Sequence, residues 1–298
     1  EARARDAFRG AYFGIVGNIL DSGISNVADL DMAVELALDM TPPFSLMNQL
    51  GVKESLALVE KYAAEHAGFA VPQCLIERAR KDAPWHIPTV LREDRGDVAV
   101  LTVRRPKVLN ALNRDAFLQI EAHFSALKDD ARIRGVVVTG FGKKAFVSGA
   151  DVNFLAQIDS PQAGEATSAE ANRVLLAVEN VGKPVVCALN GFALGGGNEL
   201  AMACQARIAK KGLPLLAGQP EPNLGILPGA GGTQRLPRWI GVAKAAELLR
   251  TGRPISSSEA LALEREQGEA LWAHWTNGAP LDLEKATIKH AVLFDEPT

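Results

Sequence analysis

Two glutamates, Glu199 and Glu221, each close a glycine-rich stretch of the sequence. Glu199 ends Asn190-Gly-Phe-Ala-Leu-Gly-Gly-Gly-Asn-Glu199 and Glu221 ends Gly218-Gln-Pro-Glu221, with Pro228-Gly-Ala-Gly-Gly-Thr233 just downstream. Glycine makes turns that other residues make only under strain, and it lets a ligand approach the main chain closely. Paired carboxylates beside exposed N–H groups are the parts needed to move protons around a polarised carbonyl. Two carboxyls in one apolar pocket cannot both ionise easily, so one is expected to hold a proton near neutral pH, with pKa values that belong to the pair.

Other chemistries find less support. His66, His86, His123, His274 and His290 show no metal-ligand spacing, and no Gly-x-Ser-x-Gly elbow is present. Gly229-Ala-Gly-Gly232 lacks the Gly-x-Gly-x-x-Gly spacing of a dinucleotide loop and has no strand before it. Cys74, Cys187 and Cys204 are three in number and sit among apolar residues, as buried reduced thiols do. A formal net charge of −3 leaves no basic surplus for a nucleic-acid backbone. Apolar runs such as Val185–Leu189 are far too short to span a membrane. The start, Glu-Ala-Arg-Ala-Arg, has no apolar core of a signal peptide, so a cytoplasmic location is expected. Because it does not begin with Met, the chain is expected to be a piece of a longer protein.

Positioning the acids falls to an α/β region that begins near Asp94. Val98–Val103, Gly135–Gly140 and Val185–Leu189 read as buried strands. Between them, Phe117, Ile120, Phe124 and Leu127, then Val174, Leu175 and Val178, read as helix faces. Alternation of this kind indicates a sheet covered by helices. Before Asp94 the pattern is helical. Phe8, Tyr12, Ile15 and Ile19 define one expected helix face, weakened by Gly14 and Gly17, so that packing must hold it. Ser25 is expected to cap a second helix, and a third stretch runs from Val52 to His66. Pro72, Pro84 and Pro88 mark the segment after Gly68 as a connector with one short helix near Leu75–Lys81.

Taken together, Ser148-Gly-Ala-Asp151, the Gly195-Gly-Gly197 turn and the two glutamates resemble the crotonase superfamily, and within it the enoyl-CoA hydratases. The resemblance covers about Asp94 to Leu263. It implies an α/β fold: a crotonase-type ββα spiral domain preceded by a small all-α domain. The corresponding domains are 1–70 helical, 71–93 linker, and 94–298 crotonase-like with a divergent or truncated C-terminal part.

The same resemblance implies roles. The N–H groups of Ala150 and Gly196 would form an oxyanion hole for the thioester oxygen, where each donor lowers a barrier by about 3 kcal/mol. Glu199 would act as base on a water, Glu221 would protonate C2, and Gly229 would offer its N–H to that water. Coenzyme A contacts would come from Lys107, Val108, Leu109 and Ala111, beside Asn110-Ala-Leu-Asn113, and from Ala150, Asp151 and Val152. Asn113 also suits a helix cap. No cofactor is implied; the acyl-CoA thioester is the substrate. Both acids together favour hydration over Δ3,Δ2-enoyl-CoA isomerisation, the alternative on the same fold; a catalytically silent acyl-CoA-binding module is the alternative of another class.

Three departures stand out. The two glutamates are 22 residues apart, about two more than hydratases usually show, with Lys210-Lys-Gly-Leu-Pro214 as the expected bulge. Gln205 replaces a common Asp. Past Ala262, Glu264-Arg-Glu-Gln-Gly268 replaces an expected strand, and shortened C-terminal helices leave acyl specificity and homo-oligomer formation open. Upstream, Gly23–Asp31 and Pro43–Gly51 resemble the C-terminal helical domain of 3-hydroxyacyl-CoA dehydrogenases, with Asp6 where that family has a substrate-contacting Asn. A degenerate copy of that domain, in a fusion with an upstream dehydrogenase domain and without NAD use by this chain, is the implied arrangement.

Overall fold

The computed structural model describes residues 1–276 and 291–294. The chain divides into two compact units, Glu1–Pro88 and Thr89–Thr298. Among the described residues no helix is long and apolar enough to cross a membrane.

The first unit holds α1 (Ala2–Asp21), α2 (Val27–Ala37), α3 (Pro43–Leu50), α4 (Val52–Glu65) and α5 (Gln73–Lys81). Its core is Phe13, Phe44, Met47, Val59, Leu75 and Trp85. The buried face of α1 differs from the expected one: Phe8 and Ile15 are about half exposed, and Gly10, Tyr12, Phe13, Gly14, Val16 and Gly17 are buried. The reason is backbone approach. A Cβ on Gly10 would lie 2.5 Å from the Leu58 carbonyl oxygen, and one on Gly14 would run into the Phe69 ring. The glycines are packing surface: Gly10 meets α4, Gly14 the Phe69 ring and Gly17 Pro72. Asn26, not Ser25, caps α2, its side chain accepting the Asp29 N–H at 2.9 Å. Residues 71–88 are not a linker. Leu75 is fully buried, Trp85 packs edge-on against Phe44, and the unit ends only at Pro88.

The second unit begins with β1 (Val90–Arg95) and β2 (Val98–Val103), then α6 (Arg114–Asp129), β3 (Gly135–Gly140), β4 (Ala145–Val147), α7 (Val152–Leu155) and α8 (Pro161–Glu179). There follow β5 (Val185–Leu189), β6 (Phe192–Leu194), α9 (Gly196–Ala203), β7 (Ala206–Lys210), β8 (Ala217–Gly218), α10 (Gly232–Ile240), α11 (Val242–Thr251), α12 (Ser257–Thr276) and β9 (Ala291–Phe294). The larger sheet runs β1-β2-β3-β5-β7-β9, parallel from β2 onward, and the smaller runs β4-β6-β8. After β1 and β2, which both join the larger sheet, the passes from β3 to β8 each add one strand to each sheet and then a helix, which is the ββα spiral. Strands β2, β3 and β5 coincide with the three β-branched runs read from sequence.

Packing follows the periodicity. Phe117, Ile120, Phe124 and Leu127 of α6 and Val174, Leu175 and Val178 of α8 cover the sheet with Val136, Val138, Val185 and Cys187 beneath them. Asn113 caps α6 by accepting the Ala116 N–H at 3.0 Å. Lys211 and Gly212 form the turn after β7, where the two extra residues were expected. Glu264 continues α12 rather than a strand, and it pairs with buried Arg207 at 2.9 Å, which in turn stacks 3.7 Å from the Trp239 ring centre. Gln205 ties β5 to α8: it accepts the Val185 N–H and donates to the Glu179 carbonyl, both at 2.9 Å. Trp272, His274 and Trp275 lie on α12, as expected for a helix. His290 and the chain past Thr276, apart from β9, lie outside the described residues.

Candidate active site

Helix α9 starts immediately after Gly195, which has φ 50, a value that suits glycine. Glu199 thus sits in the first turn of the helix, where the macrodipole favours a negative charge. It is almost completely buried, at 2% exposure. Its Oε1 accepts two main-chain N–H groups from the turn before α10, Ala230 at 2.9 Å and Gly232 at 2.7 Å. Burial pushes its carboxyl up to about 7, with the Glu221 charge adding to the rise; the Gly232 and Ala230 N–H groups and the Arg235 charge oppose it.

Glu221 opens a short 3-10 turn, Glu221–Leu224, after β8 and is 8% exposed. Its Oε2 has no hydrogen-bond partner among the described residues. Its Oε1 lies 2.9 Å from where a Cβ on Gly195 would stand, so the carboxylate rests against the glycine that opens α9. Burial raises this carboxyl also, opposed by the bond from its own N–H. Of the two acids, Glu199 has the better-stabilised anion, because two N–H donors meet one oxygen. Burial nonetheless raises Glu199 to about 7, so its anion is held only above that pH.

Ala150 and Gly196 come together at the same place. Ala150 N lies 3.6 Å from the position of a Cβ on Gly196, and Glu199 Oε2 lies 3.9 Å from that position. Gly149 O and Asp151 N bond to Leu112 on one side of the strand-like segment. Alternation then turns the Ala150 N–H to the other side. Gly196 is the first residue of α9, where N–H groups have no partner within the helix. The Ala150 N–H and the Glu199 carboxylate therefore border Gly196, and Glu221 rests against the glycine just before it.

The loop expected to meet coenzyme A is knitted to this space. Lys107 and Val108 lie in a 3-10 turn, Pro106–Val108, and Leu109 and Asn110 follow in the left-handed region at φ 52 and 60. Ser148 Oγ donates to the Val108 carbonyl at 3.1 Å and Ser148 N to the Leu109 carbonyl at 3.1 Å. Val108 is 38% exposed, Val152 is 71% exposed, and Ala111 is buried. The Asp151 carboxylate is spent inside the protein: it pairs with Arg105 at 2.9 Å and caps α7 through the Asn153 N–H. Burial works to raise it, but these bonds outweigh burial and hold it below the usual carboxylate range.

Three features were not found by sequence reading. Asn110 is 1% exposed and donates from Nδ2 to the Phe141, Ala145 and Phe146 carbonyls at 2.9–3.1 Å, locking the loop to β4. Ser168 and Asn172 of α8 both donate to the Gly229 carbonyl, at 2.5 and 2.8 Å. Arg235, 6% exposed, donates to the Ala230 carbonyl at 2.9 Å and pairs with Glu179 at 3.2 Å. Asn110 stood in the motif without this role being read from it; polar residues on one face of α8 carried no sequence signal of their own. Among the described residues no group of three His, Cys, Asp or Glu could hold a metal.

Known proteins resemble this chain. The sequence model of the family described as enoyl-CoA hydratase/isomerase matches residues 93–263. A crotonyl-CoA hydratase of Syntrophomonas wolfei is 45% identical over 171 residues, and a short-chain-enoyl-CoA hydratase of Clostridium acetobutylicum is 43% identical over 172. These alignments cover 57% and 58% of this chain and 65% of each relative, so the chain spans just under two thirds of their length. The crystal structure of an enoyl-CoA hydratase from Bacillus anthracis superposes with a TM-score of 0.56 at 33% identity, over 64% of this chain and 76% of that one.

Proposed function

The chain belongs to the enoyl-CoA hydratase/isomerase family, and on that premise we propose that it adds water across the double bond of a trans-2-enoyl-CoA to give the 3-hydroxyacyl-CoA. The observation that carries this reading is the pair of buried acids, Glu199 and Glu221, against the Gly195-Gly196 turn beside the Ala150 N–H.

In the proposed mechanism the thioester oxygen accepts the N–H groups of Ala150 and Gly196, which draws electron density off C3. Ionised Glu199 takes a proton from water as its oxygen bonds to C3, and Gly229 N–H holds that water. The enolate collapses and C2 takes the proton held on Glu221, from the same face. Net, one water is added; the proton gained by Glu199 returns to Glu221 before the next turnover. The N–H pair on Glu199 and the unpartnered Oε2 of Glu221 support this division of base and acid. The segments around Lys107, Val108, Leu109, Ala111, Ala150, Asp151 and Val152 are the proposed coenzyme A contacts, Asp151 through its main chain. The chemistry requires neither metal nor redox cofactor.

For the helical unit we infer a degenerate dehydrogenase C-terminal-type domain. The two resembling segments meet there: Asp31 accepts the Phe44 N–H at 2.8 Å and the Ser45 hydroxyl at 2.9 Å. An upstream dehydrogenase domain in the full protein, a place in fatty-acid β-oxidation, a cytoplasmic location and assembly into a homo-oligomer complete the proposal.

Loss of the conjugated enoyl absorbance of crotonyl-CoA tests the activity. Glu199→Gln and Glu221→Gln should each lower kcat by roughly 10²–10⁴-fold, the contribution of a positioned acid or base, with CoA affinity nearly intact. Unchanged turnover in both variants would falsify the reading. Coenzyme A binding with no turnover in the native chain points to a silent module, and conversion of a 3-enoyl substrate without water uptake points to an isomerase.

A further inference from the structure

The turn at 228–232 is held from behind. Ser168 and Asn172 are one helical turn apart on one face of α8. Both donate to the Gly229 carbonyl, and Asn172 Nδ2 also donates to the Ser168 carbonyl at 2.9 Å, which fixes the amide in place. The Gly229 carbonyl and the Ala230 N–H belong to one planar peptide unit, in which they point in opposite directions. Drawing that oxygen toward α8 aims the N–H away from it, and that N–H is the one that meets Glu199 Oε1 at 2.9 Å. The next carbonyl, of Ala230, is held by Arg235, itself paired with Glu179 near the end of α8. One helix thus braces two successive peptides of the turn.

The geometry points to Ser168 and Asn172 as positioning residues for Glu199, acting through the Gly229–Ala230 peptide. The inference rests on the reading of Glu199 as the base. Neither side chain touches the carboxylate. They hold the plane of a peptide, and the peptide presents the donor.

The consequence is electrostatic. Without the brace the peptide can rotate, and Glu199 loses one of the two donors that stabilise its anion. Its pKa then rises and less of the base is available at a given pH. The charged groups facing Glu199 are Glu221, which raises its pKa, and Arg235, which lowers it. Glu179 of α8 is engaged with Arg235. Strands β4 and β6, packed against α9, carry no titratable side chain. Docking of α8 itself does not depend on these two polar residues, because Val174, Leu175 and Val178 anchor it in the core.

The test uses the full chain with Ser168→Ala, Asn172→Leu and the double variant, alongside Ser168→Thr and Asn172→Gln. Two quantities are read: the pH profile of kcat and KM with crotonyl-CoA, and the titration of Glu199 by ¹³C-glutamate NMR, assigned with Glu199→Gln. In the double variant kcat should fall roughly tenfold to a hundredfold, as for a slightly misplaced catalytic group, while KM stays close to the native value. The acid limb and the Glu199 titration should both move up by about one pH unit, the worth of one hydrogen bond to a charged group. The conservative variants should recover part of the loss. A folded double variant with native kcat and an unmoved Glu199 titration overturns the inference, as does activity lost in proportion to the folded fraction with the limb unmoved. If the native chain does not hydrate crotonyl-CoA, the functional reading fails separately. The NMR titration still decides the brace: an upward shift supports it and none sinks it.

Discussion

Asp31 of the helical unit and the pair Glu199 and Glu221 of the second unit are all buried carboxylates, held in opposite ways. Asp31, in the helical unit, is 5% exposed and has both oxygens occupied: Oδ1 accepts the Phe44 N–H, and Oδ2 accepts the Ser45 N–H and hydroxyl. Burial raises its pKa, and every one of those bonds works to lower it again. Glu199 and Glu221 are similarly buried, yet the Ala230 and Gly232 N–H groups both reach the same oxygen of Glu199, and Glu221 Oε2 meets no donor among the described residues. A carboxylate that serves the fold is fully satisfied. The acids proposed to serve chemistry each keep an oxygen clear of such bonds, and the fold carries the cost.

The largest effect that sharpens this contrast comes from filling the space the acids share. A methyl at Gly196 would meet Ala150 N at 3.6 Å and Glu199 Oε2 at 3.9 Å, ordinary contact distances. Gly196→Ala should therefore fold as the native chain does, yet place carbon where the proposed thioester oxygen would sit. We expect kcat to fall roughly 10²–10³-fold, the effect of removing an oxyanion donor, with the melting temperature unmoved. Steady-state kinetics and calorimetry check it. Native turnover in this variant would move the thioester site elsewhere.

Asp31→Ala inverts the pattern. It strands the Phe44 and Ser45 donors at the start of α3, and the helical unit should lose about 2–4 kcal/mol, as expected for a lost cap with unsatisfied buried groups. Hydration of crotonyl-CoA by the folded fraction should not change. Denaturant titration followed by Trp85 fluorescence, set beside the rate, separates the two readouts. A changed rate in fully folded protein would break the division of labour between these acids.

How much of this was legible in the sequence depends on what each feature needed. Strands β2, β3 and β5 were visible because β-branched runs such as Val136-Val-Val138 have little other use, whereas the shorter or more polar strands were not read. The acids were visible because glycine-rich turns are costly and rarely idle beside carboxylates. The buried face of α1 was misread, since side-chain periodicity favours large residues, whereas this helix packs through Gly10, Gly14 and Gly17. The supposed linker was misread because prolines at 72, 84 and 88 interrupt periodicity without preventing Leu75 and Trp85 from joining a core. The brace on α8 could not be read at all. Ser168 and Asn172 lie about sixty residues from Gly229, and only the spiral brings them together.

The smallest expected effect concerns stability rather than rate. Glu199 has a carboxyl raised from an ordinary 4.5 to about 7 in the folded protein. Below the lower value both folded and unfolded chains are protonated there, and the fold bears no penalty. Between the two, the unfolded chain ionises while the folded chain keeps its proton, so stability falls as pH rises. Above about 7 the penalty is constant, at a little over 3 kcal/mol (about 1.36 kcal/mol for each pH unit between the two values). Glutamine removes the titration but keeps an oxygen for the Ala230 and Gly232 N–H groups. Glu199→Gln should therefore match native stability near about pH 4 and exceed it by that amount near about pH 8, as measured by denaturant unfolding at each pH. At Asp31 the same exchange to an amide should destabilise, because its –NH2 must face the Phe44 or Ser45 N–H where an oxygen is needed. A gain at Glu199 that did not vary with pH would mean that ionisation is not what the fold is resisting, and that the two buried sites differ in packing rather than in charge.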